Sequence, residues 1–328
     1  MPPELDAIAD QLTLPSTAAI GIPLALVAAV ILAIGTQLQH GGVAKVETEN
    51  KGGRTGLSVG QLGSLLARPS WVIGTVLLAL AIVLQLTSLT LAPITVVQPL
   101  GAVALVVTAI VNSRLTKTPL DRRSIRSIVV CVLGVGAFVT TAAFVTRSHP
   151  VTATQLWTVL IILVVVLAVF ITLFVLMRGR TPRPIFYIIA GGTLFGFVVT
   201  LAKVVIDRVR TIIVQGVGFD FADILTILCI VGLIVAGLLG SYFVQTAHSS
   251  NPPDLVVAGL TVIDPIVAVS IGIVVLGEAA GAPWPAIIAF IVFAAVAVWG
   301  VVSLSRHHPQ ALANTPVADV ADKARRRP

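Results

Sequence analysis

Pro252-Pro-Asp-Leu-Val-Val-Ala-Gly-Leu-Thr-Val-Ile-Asp264-Pro265-Ile-Val-Ala-Val-Ser-Ile-Gly-Ile-Val-Val-Leu276 is an apolar run long enough to cross a bilayer, with a carboxylate at its centre. An acidic residue in the middle of a membrane helix costs roughly 2.5 to 3.5 kcal/mol on insertion scales, so Asp264 marks a polar pathway or site facing the protein interior. Pro265 removes a backbone donor and crowds the preceding turn, freeing carbonyls at a depth without water. Asp followed by Pro is also the N-cap and N1 pattern of a helix start. The stretch is therefore read as two half-helices meeting near Asp264, a construction secondary transporters use at their binding sites.

The remainder of the 328 residues has the same character, 57% hydrophobic and 11% charged, which excludes a soluble globular domain and implies an all-α polytopic membrane protein. Cys131 and Cys229 both lie inside apolar runs, against a disulfide framework or a thiolate-bound metal. The N-terminal segment carries Glu4, Asp6 and Asp10 and lacks the basic start of a signal peptide, so the first apolar run is expected to remain as a span. The net charge of +7 is explained by topology and not by nucleic-acid binding.

Windows of about 19 residues mark nine helices able to cross roughly 30 Å of hydrocarbon. They lie near 17–39, 71–91, 94–113, 124–146, 154–177, 185–207, 221–246, 252–276 and 284–304, with Pro93 opening the third. With the N-terminus outside, all 21 Lys and Arg residues except Arg147, Lys203, Arg208 and Arg210 fall in cytoplasmic segments, as the positive-inside rule requires. Trp71, Trp157, Trp284 and Trp299 fall near span ends, where interfacial anchors belong. The resulting division is an extracytoplasmic segment 1–16, a first four-span repeat 17–146, a linker helix 147–180, a second inverted four-span repeat 181–306, and a disordered cytoplasmic tail 307–328. Segment 40–70 turns amphipathic over Leu57, Val59, Leu62, Leu65 and Leu66 and is expected on the cytoplasmic membrane surface.

The repeat is read from two proline-opened helices. Leu91-Ala-Pro-Ile-Thr-Val-Val-Gln-Pro-Leu-Gly101 starts the third span and Pro252 to Pro265 the eighth; each follows a helix carrying Gln85 or Gln245 and precedes a Gly- and Ala-rich span. An offset of five spans inverts orientation, the arrangement of many transporters. The run Pro265-Ile-Val-Ala-Val-Ser-Ile-Gly-Ile-Val-Val-Leu-Gly-Glu278 resembles the closing motif of drug/metabolite transporter repeats of the EamA type. Ala92-Pro-Ile-Thr-Val-Val-Gln-Pro-Leu-Gly-Ala102, with Ala109 and Ser113, is similar to the NIPA-like magnesium transporter branch of that superfamily, which nine spans also suit. The first repeat departs from the motif, ending Leu115-Thr-Lys-Thr118 without the Gly-Glu pair.

Asp264 is the candidate proton or cation site and Gln98, before Pro99, its neutral counterpart. Gln85 and Gln245 are candidates to line the same cavity, with interhelical hydrogen bonding a sufficient alternative. Lys203 and Asp207, one helical turn apart, are spaced to pair, either to bind substrate or to snorkel to the outer interface. Glu278 is expected at the outer mouth as a solvated loop residue, and Pro99 and Pro265 as helix breaks. Gln37, Gln39 and His40 cluster at the cytoplasmic end of the first span, where solvation explains them. Gly192 with Gly196, and Gly232, Ala236 and Gly240, have small-xxx-small spacing for close helix packing.

No phosphate-cradling glycine loop, nucleophile elbow or His/Cys/carboxylate cluster appears, so neither enzymatic activity nor a cofactor is implied. The leading expectation is a secondary transporter of the drug/metabolite superfamily, moving a small solute by alternating access with proton coupling through Asp264. The alternative implied by the NIPA-like resemblance is a divalent-cation pathway, in which Asp264 would meet Mg²⁺. A third is an accessory membrane protein that binds lipid or a partner. The expected location is the cell membrane, the inner membrane of a bacterium, with the lipid bilayer and a small molecule or cation as partners.

Overall fold

In hydrocarbon every backbone polar group must be satisfied within its own segment, and this chain meets that demand with helices alone among its described residues. The computed structural model describes residues 16–49, 66–116, 120–176, 185–215, 221–250 and 253–307. Its helices are α1 (Ser16–Glu49), α2 (Pro69–Leu91), α3 (Ile94–Leu100), α4 (Ala102–Thr116), α5 (Arg122–Val145), α6 (Ala153–Leu176), α7 (Ile185–Gln215), α8 (Phe221–Ser250), α9 (Pro253–Val274) and α10 (Trp284–His307). Counting α3 with α4 as one span, nine helical segments among the described residues are long and apolar enough to cross a membrane. The protein is a multi-pass membrane protein. The first helix continues ten residues past the expected boundary at 39, to Glu49. Most of the amphipathic segment expected within 40–70, the acidic start and the tail from 308 onward lie outside the described residues.

Local signals account for several helix starts. Asp121 caps α5 by accepting from the Ser124 N–H at 2.8 Å. Thr152 and Gln155 form a reciprocal capping box at the start of α6, with Gln155 N–H to Thr152 Oγ1 at 3.3 Å and Thr152 N–H to Gln155 Oε1 at 2.9 Å. Arg68 precedes a proline that opens α2.

Helix packing repeats itself across the chain. α1 packs on α2 as α7 packs on α8, α1 contacts α4 as α7 contacts α9, and α5 packs on α10 across the junction. This is the pattern produced when the first four spans and the last four are related by a pseudo-two-fold axis. The α5–α10 contact has the reciprocity such an axis demands. Gln98 touches the residue 166 positions later, Asp264, and the same offset carries Gly134 to Gly300 and Cys131 to Ala297. A Cβ on Gly134 would lie 2.6 Å from the Ala297 nitrogen, and one on Gly300 would lie 2.5 Å from the Cys131 nitrogen. Each glycine thus receives the backbone of the other's neighbour. α6 stands outside the two sets, packed mainly on α8, where Leu160 and Leu163 meet Gly232.

Gly300→Ala is expected to separate α5 from α10 and to cost about 1 to 3 kcal/mol through overpacking. Gly136→Ala, on α5 with nothing within 4 Å of the added methyl, should leave stability unchanged. Unfolding midpoints of the two variants in detergent check this; equal midpoints would remove the close α5–α10 approach from the account.

Candidate functional site

The intramembrane acid meets its counterpart. Gln98 on α3 is 6% exposed and donates from Nε2 to Oδ1 of Asp264 on α9 at 3.4 Å. Asp264 itself is half-buried. Two glycines of α7 bring that helix onto α9 at this point: a Cβ on Gly192 would sit 2.8 Å from Ile263 Cβ, and one on Gly196 would sit 2.9 Å from the Asp264 carbonyl oxygen. The small residues read as packing signals therefore shape the surroundings of the acid. Beside the pair, Pro99 and Pro265 line one apolar cavity of about 80 Å³ with Val135, Phe138, Thr261 and Ala294.

The expected break at Asp264 is not present. α9 runs unbroken from Pro253 to Val274 with Pro265 inside it. A single internal proline removes only the bond to the carbonyl four residues back, here Thr261, and neighbouring helices hold the rest in place. The discontinuity falls in the third span, two residues after Pro99. There α3 ends at Leu100 and Gly101 forms a turn, its N–H bonded to the Gln98 carbonyl at 3.0 Å, before α4 begins. Gly101 keeps right-handed helical dihedrals, φ −57° and ψ −29°, so the irregularity is a tightened turn and the span continues into α4.

Glu278 is also different from its expected role as a solvated mouth residue. It is 3% exposed and binds the start of α3: Oε1 accepts from the Ile94 N–H at 2.8 Å, and Oε2 accepts from the Thr95 N–H at 2.9 Å and the Thr95 hydroxyl at 2.6 Å. Burial pushes its carboxyl above the ordinary range, and these three donors, with the charge of Lys203, pull the other way. The Leu276-Gly277-Glu278 turn explains the geometry. Gly277 has φ of +70°, which only glycine adopts freely, and the reversed chain returns the Glu278 N–H to the Gly272 carbonyl at 3.0 Å. Gly272 leaves the room, since a Cβ there would collide with Ile94 Cγ2 and lie 3.0 Å from Glu278 Oε2.

Lys203 and Asp207 pair as their spacing predicts, Nζ to Oδ2 at 3.1 Å, but Lys203 does not snorkel outward. It is 2% exposed and also donates to the Leu89 carbonyl at 2.6 Å and to Ser148 Oγ at 3.1 Å. The C-terminal end of α2 concentrates outward-pointing carbonyls, which draws the ammonium inward. Gln245 is exposed and Gln85 half-buried, and among the described residues neither bonds to Gln98 or Asp264. Gln39 donates to Thr75 Oγ1 at 3.3 Å, an interhelical bond between α1 and α2. Among the described residues no three His, Cys, Asp or Glu side chains converge as a preformed metal centre.

Residues 16–308 match the family model described as magnesium transporter NIPA. The chain belongs to that family. An uncharacterized protein of Corynebacterium glutamicum is 24% identical over 261 residues, covering 79% of this chain and 85% of the relative. No solved structure matches the chain. The NIPA assignment favours the cation pathway over the small organic solute that led the sequence reading. It also directs attention to oxygen donors, of which sequence reasoning missed Thr95, Ser148 and the Leu89 carbonyl. One signal was available: Glu278 and Asn112 stand at equal distances past Pro265 and Pro99, and Asn112 too is buried, at 6% exposure.

Glu278→Ala leaves the Ile94 and Thr95 N–H groups without their acceptor and is expected to cost about 1 to 3 kcal/mol. Glu278→Gln, which keeps one acceptor oxygen, should fall between it and the wild type. Denaturation of the three proteins in one detergent gives the ranking, and a wild-type midpoint for Glu278→Ala would contradict the capping role.

Proposed function

We propose that the protein carries Mg²⁺ across the plasma membrane, its two repeats alternately exposing a site built on Asp264 and Gln98. The observation that supports this most is the contact between these two side chains: they are equivalent positions of the two repeats, one ionisable and one an amide, brought together within apolar helices. Mg²⁺ is bound through one or two carboxylates and keeps several of its waters, so a single acid with a neighbouring amide and retained water is sufficient chemistry for a site that must also release its cargo. A cage of many carboxylates would hold the ion too firmly for turnover. Asp264 is also the group through which a proton would couple to cation movement, since the other half-site, Gln98, does not titrate. Membership of a transporter family supports transport rather than catalysis as the activity.

The test is Mg²⁺ uptake into proteoliposomes containing an entrapped Mg²⁺ indicator. Wild type should show uptake, and Asp264→Asn should lower it by about tenfold or more, equivalent to at least about 1.4 kcal/mol of lost ion stabilisation. A pH gradient should alter the wild-type rate and leave the residual rate of Asp264→Asn unaffected. Uptake at the wild-type rate in Asp264→Asn would overturn the assigned site, and absence of Mg²⁺ uptake alongside pH-driven organic-solute flux would overturn the cargo.

A further inference from the structure

Four basic residues fall outside the expected cytoplasmic segments: Arg147, just past α5, and Lys203, Arg208 and Arg210 on α7. The fold brings their two stretches together through the bond from Lys203 Nζ to Ser148 Oγ at 3.1 Å. Between them opens a cavity of about 260 Å³ lined by Thr90, Ser148, His149, Lys203, Asp207 and Arg210. Its charges do not cancel. Lys203 and Asp207 pair at 3.1 Å, and the other two N–H donors of the ammonium go to Ser148 and the Leu89 carbonyl. Arg210 is exposed and donates from Nη1 to the Thr90 carbonyl at 3.2 Å, a neutral acceptor. A guanidinium has five N–H donors, so this bond leaves Arg210 both donors and a positive charge to offer an anion. Ser148 accepts from Lys203 and keeps its own hydroxyl proton to donate, and His149 is exposed at the rim with a ring N–H.

A second groove, of about 350 Å³, adjoins this cavity and shares Thr90 and Arg210 with it. The rest of its lining is apolar: Val205, Val209 and Ile213, spaced four residues apart on one face of α7, with Ile206 beside them. Val209 is 42% exposed and Ile213 76%. α7 has 31 residues, which at 1.5 Å per residue is roughly 46 Å against about 30 Å of hydrocarbon. The end that carries Arg208 and Arg210 therefore reaches headgroup depth with apolar and cationic side chains on the same turns. A cationic cavity running into an apolar trough at that depth matches a molecule with an anionic head and a hydrocarbon tail.

We propose that cavity and groove together form one binding site for an anionic phospholipid. Its phosphodiester is held by Arg210, His149 and the Ser148 hydroxyl, and one acyl chain lies along Val205, Val209 and Ile213. The single negative charge of the phosphodiester balances Arg210, because Lys203 and Asp207 already balance each other. A zwitterionic lipid fits less well: Asp207, the one carboxylate in the lining among the described residues, is held by Lys203 and has no charge to spare for a lipid ammonium. A free phosphate would use the polar half alone and leave the groove uncovered. The bound lipid bridges the end of α2 in the first repeat and the segment after α5 to α7 in the second, and the site does not depend on which cargo the protein carries.

The probes are phosphatidylglycerol and phosphatidylcholine with identical acyl chains, titrated separately into the full chain purified in detergent, with retained lipid counted by native mass spectrometry. Wild type should hold one phosphatidylglycerol about tenfold more tightly than phosphatidylcholine, the worth of one charge-assisted hydrogen bond. Arg210→Gln should abolish that preference, whereas Arg126→Gln, at an exposed arginine near the opposite end of α5, should keep it. Val209→Ser combined with Ile213→Ser should weaken both lipids, since it removes the trough and leaves the cationic cavity intact. Equal retention of the two lipids by wild type overturns the proposal without reference to any variant's folding. A preference that persists in Arg210→Gln, or that Arg126→Gln removes equally, reduces the effect to general surface charge and also overturns it. Displacement of phosphatidylglycerol by excess inorganic phosphate, with no change in the Val209→Ser and Ile213→Ser protein, identifies a free-anion site and overturns the lipid assignment.

Discussion

Two backbone N–H groups at the start of α3, those of Ile94 and Thr95, are buried inside the protein, and the Glu278 carboxylate from the other half of the chain accepts both. Helix starts leave several donors without intrahelical partners, and a segment inserted among apolar helices has to find acceptors within the protein. Pro93 has no N–H to satisfy, so the demand begins at Ile94. α3 is only seven residues long and ends at a glycine turn. Its position is set by what holds its first turn, and Gln98 rides on it. The contact between Gln98 and Asp264 therefore depends on a carboxylate placed by the Gly277 turn and admitted by the bare Cα of Gly272.

The same node ties together several helices. The Arg147 N–H, just past α5, donates to the Glu278 carbonyl at 2.8 Å, and Gln155 on α6 donates to the Leu276 carbonyl at 3.1 Å. Lys203 of α7 binds the end of α2 and Ser148. The ends of α2, α5 and α9, the beginnings of α3 and α6, and Lys203 within α7 are thus joined by polar bonds in one region of the bundle. Their neighbours are apolar, so these bonds are strengthened by low local dielectric, and leaving any of them unpaired would be costly.

The two repeats share packing but not charge. Asp264 and Glu278 in the second repeat correspond to Gln98 and Asn112 in the first. Substituting an amide for an acid conserves shape and hydrogen bonding while removing an ionisable group, which allows one intramembrane carboxylate at the centre without the repulsion of a matched pair. Close helix approach, by contrast, is kept on both sides of the axis through Gly134 and Gly300, because interdigitated backbones need small residues irrespective of charge.

Hydropathy sufficed to read the nine helical segments that, among the described residues, are long and apolar enough to cross a membrane, since this is a local consequence of dissolving a chain in a bilayer. The pairing of Lys203 with Asp207 was legible for the same reason, one helical turn being a sequence distance. Glu278 was misread as a solvated loop residue because its partners lie 183 and 184 residues away and nothing local distinguishes a capping glutamate from an exposed one. Pro265 was misread as a break because whether an internal proline interrupts a helix depends on the helices packed against it. The sequence by itself determined which segments cross the membrane and how many charges accompany them; only the tertiary structure decided which oxygens those charges meet, because burial makes the partner of each charge a property of how helices distant in the chain pack together.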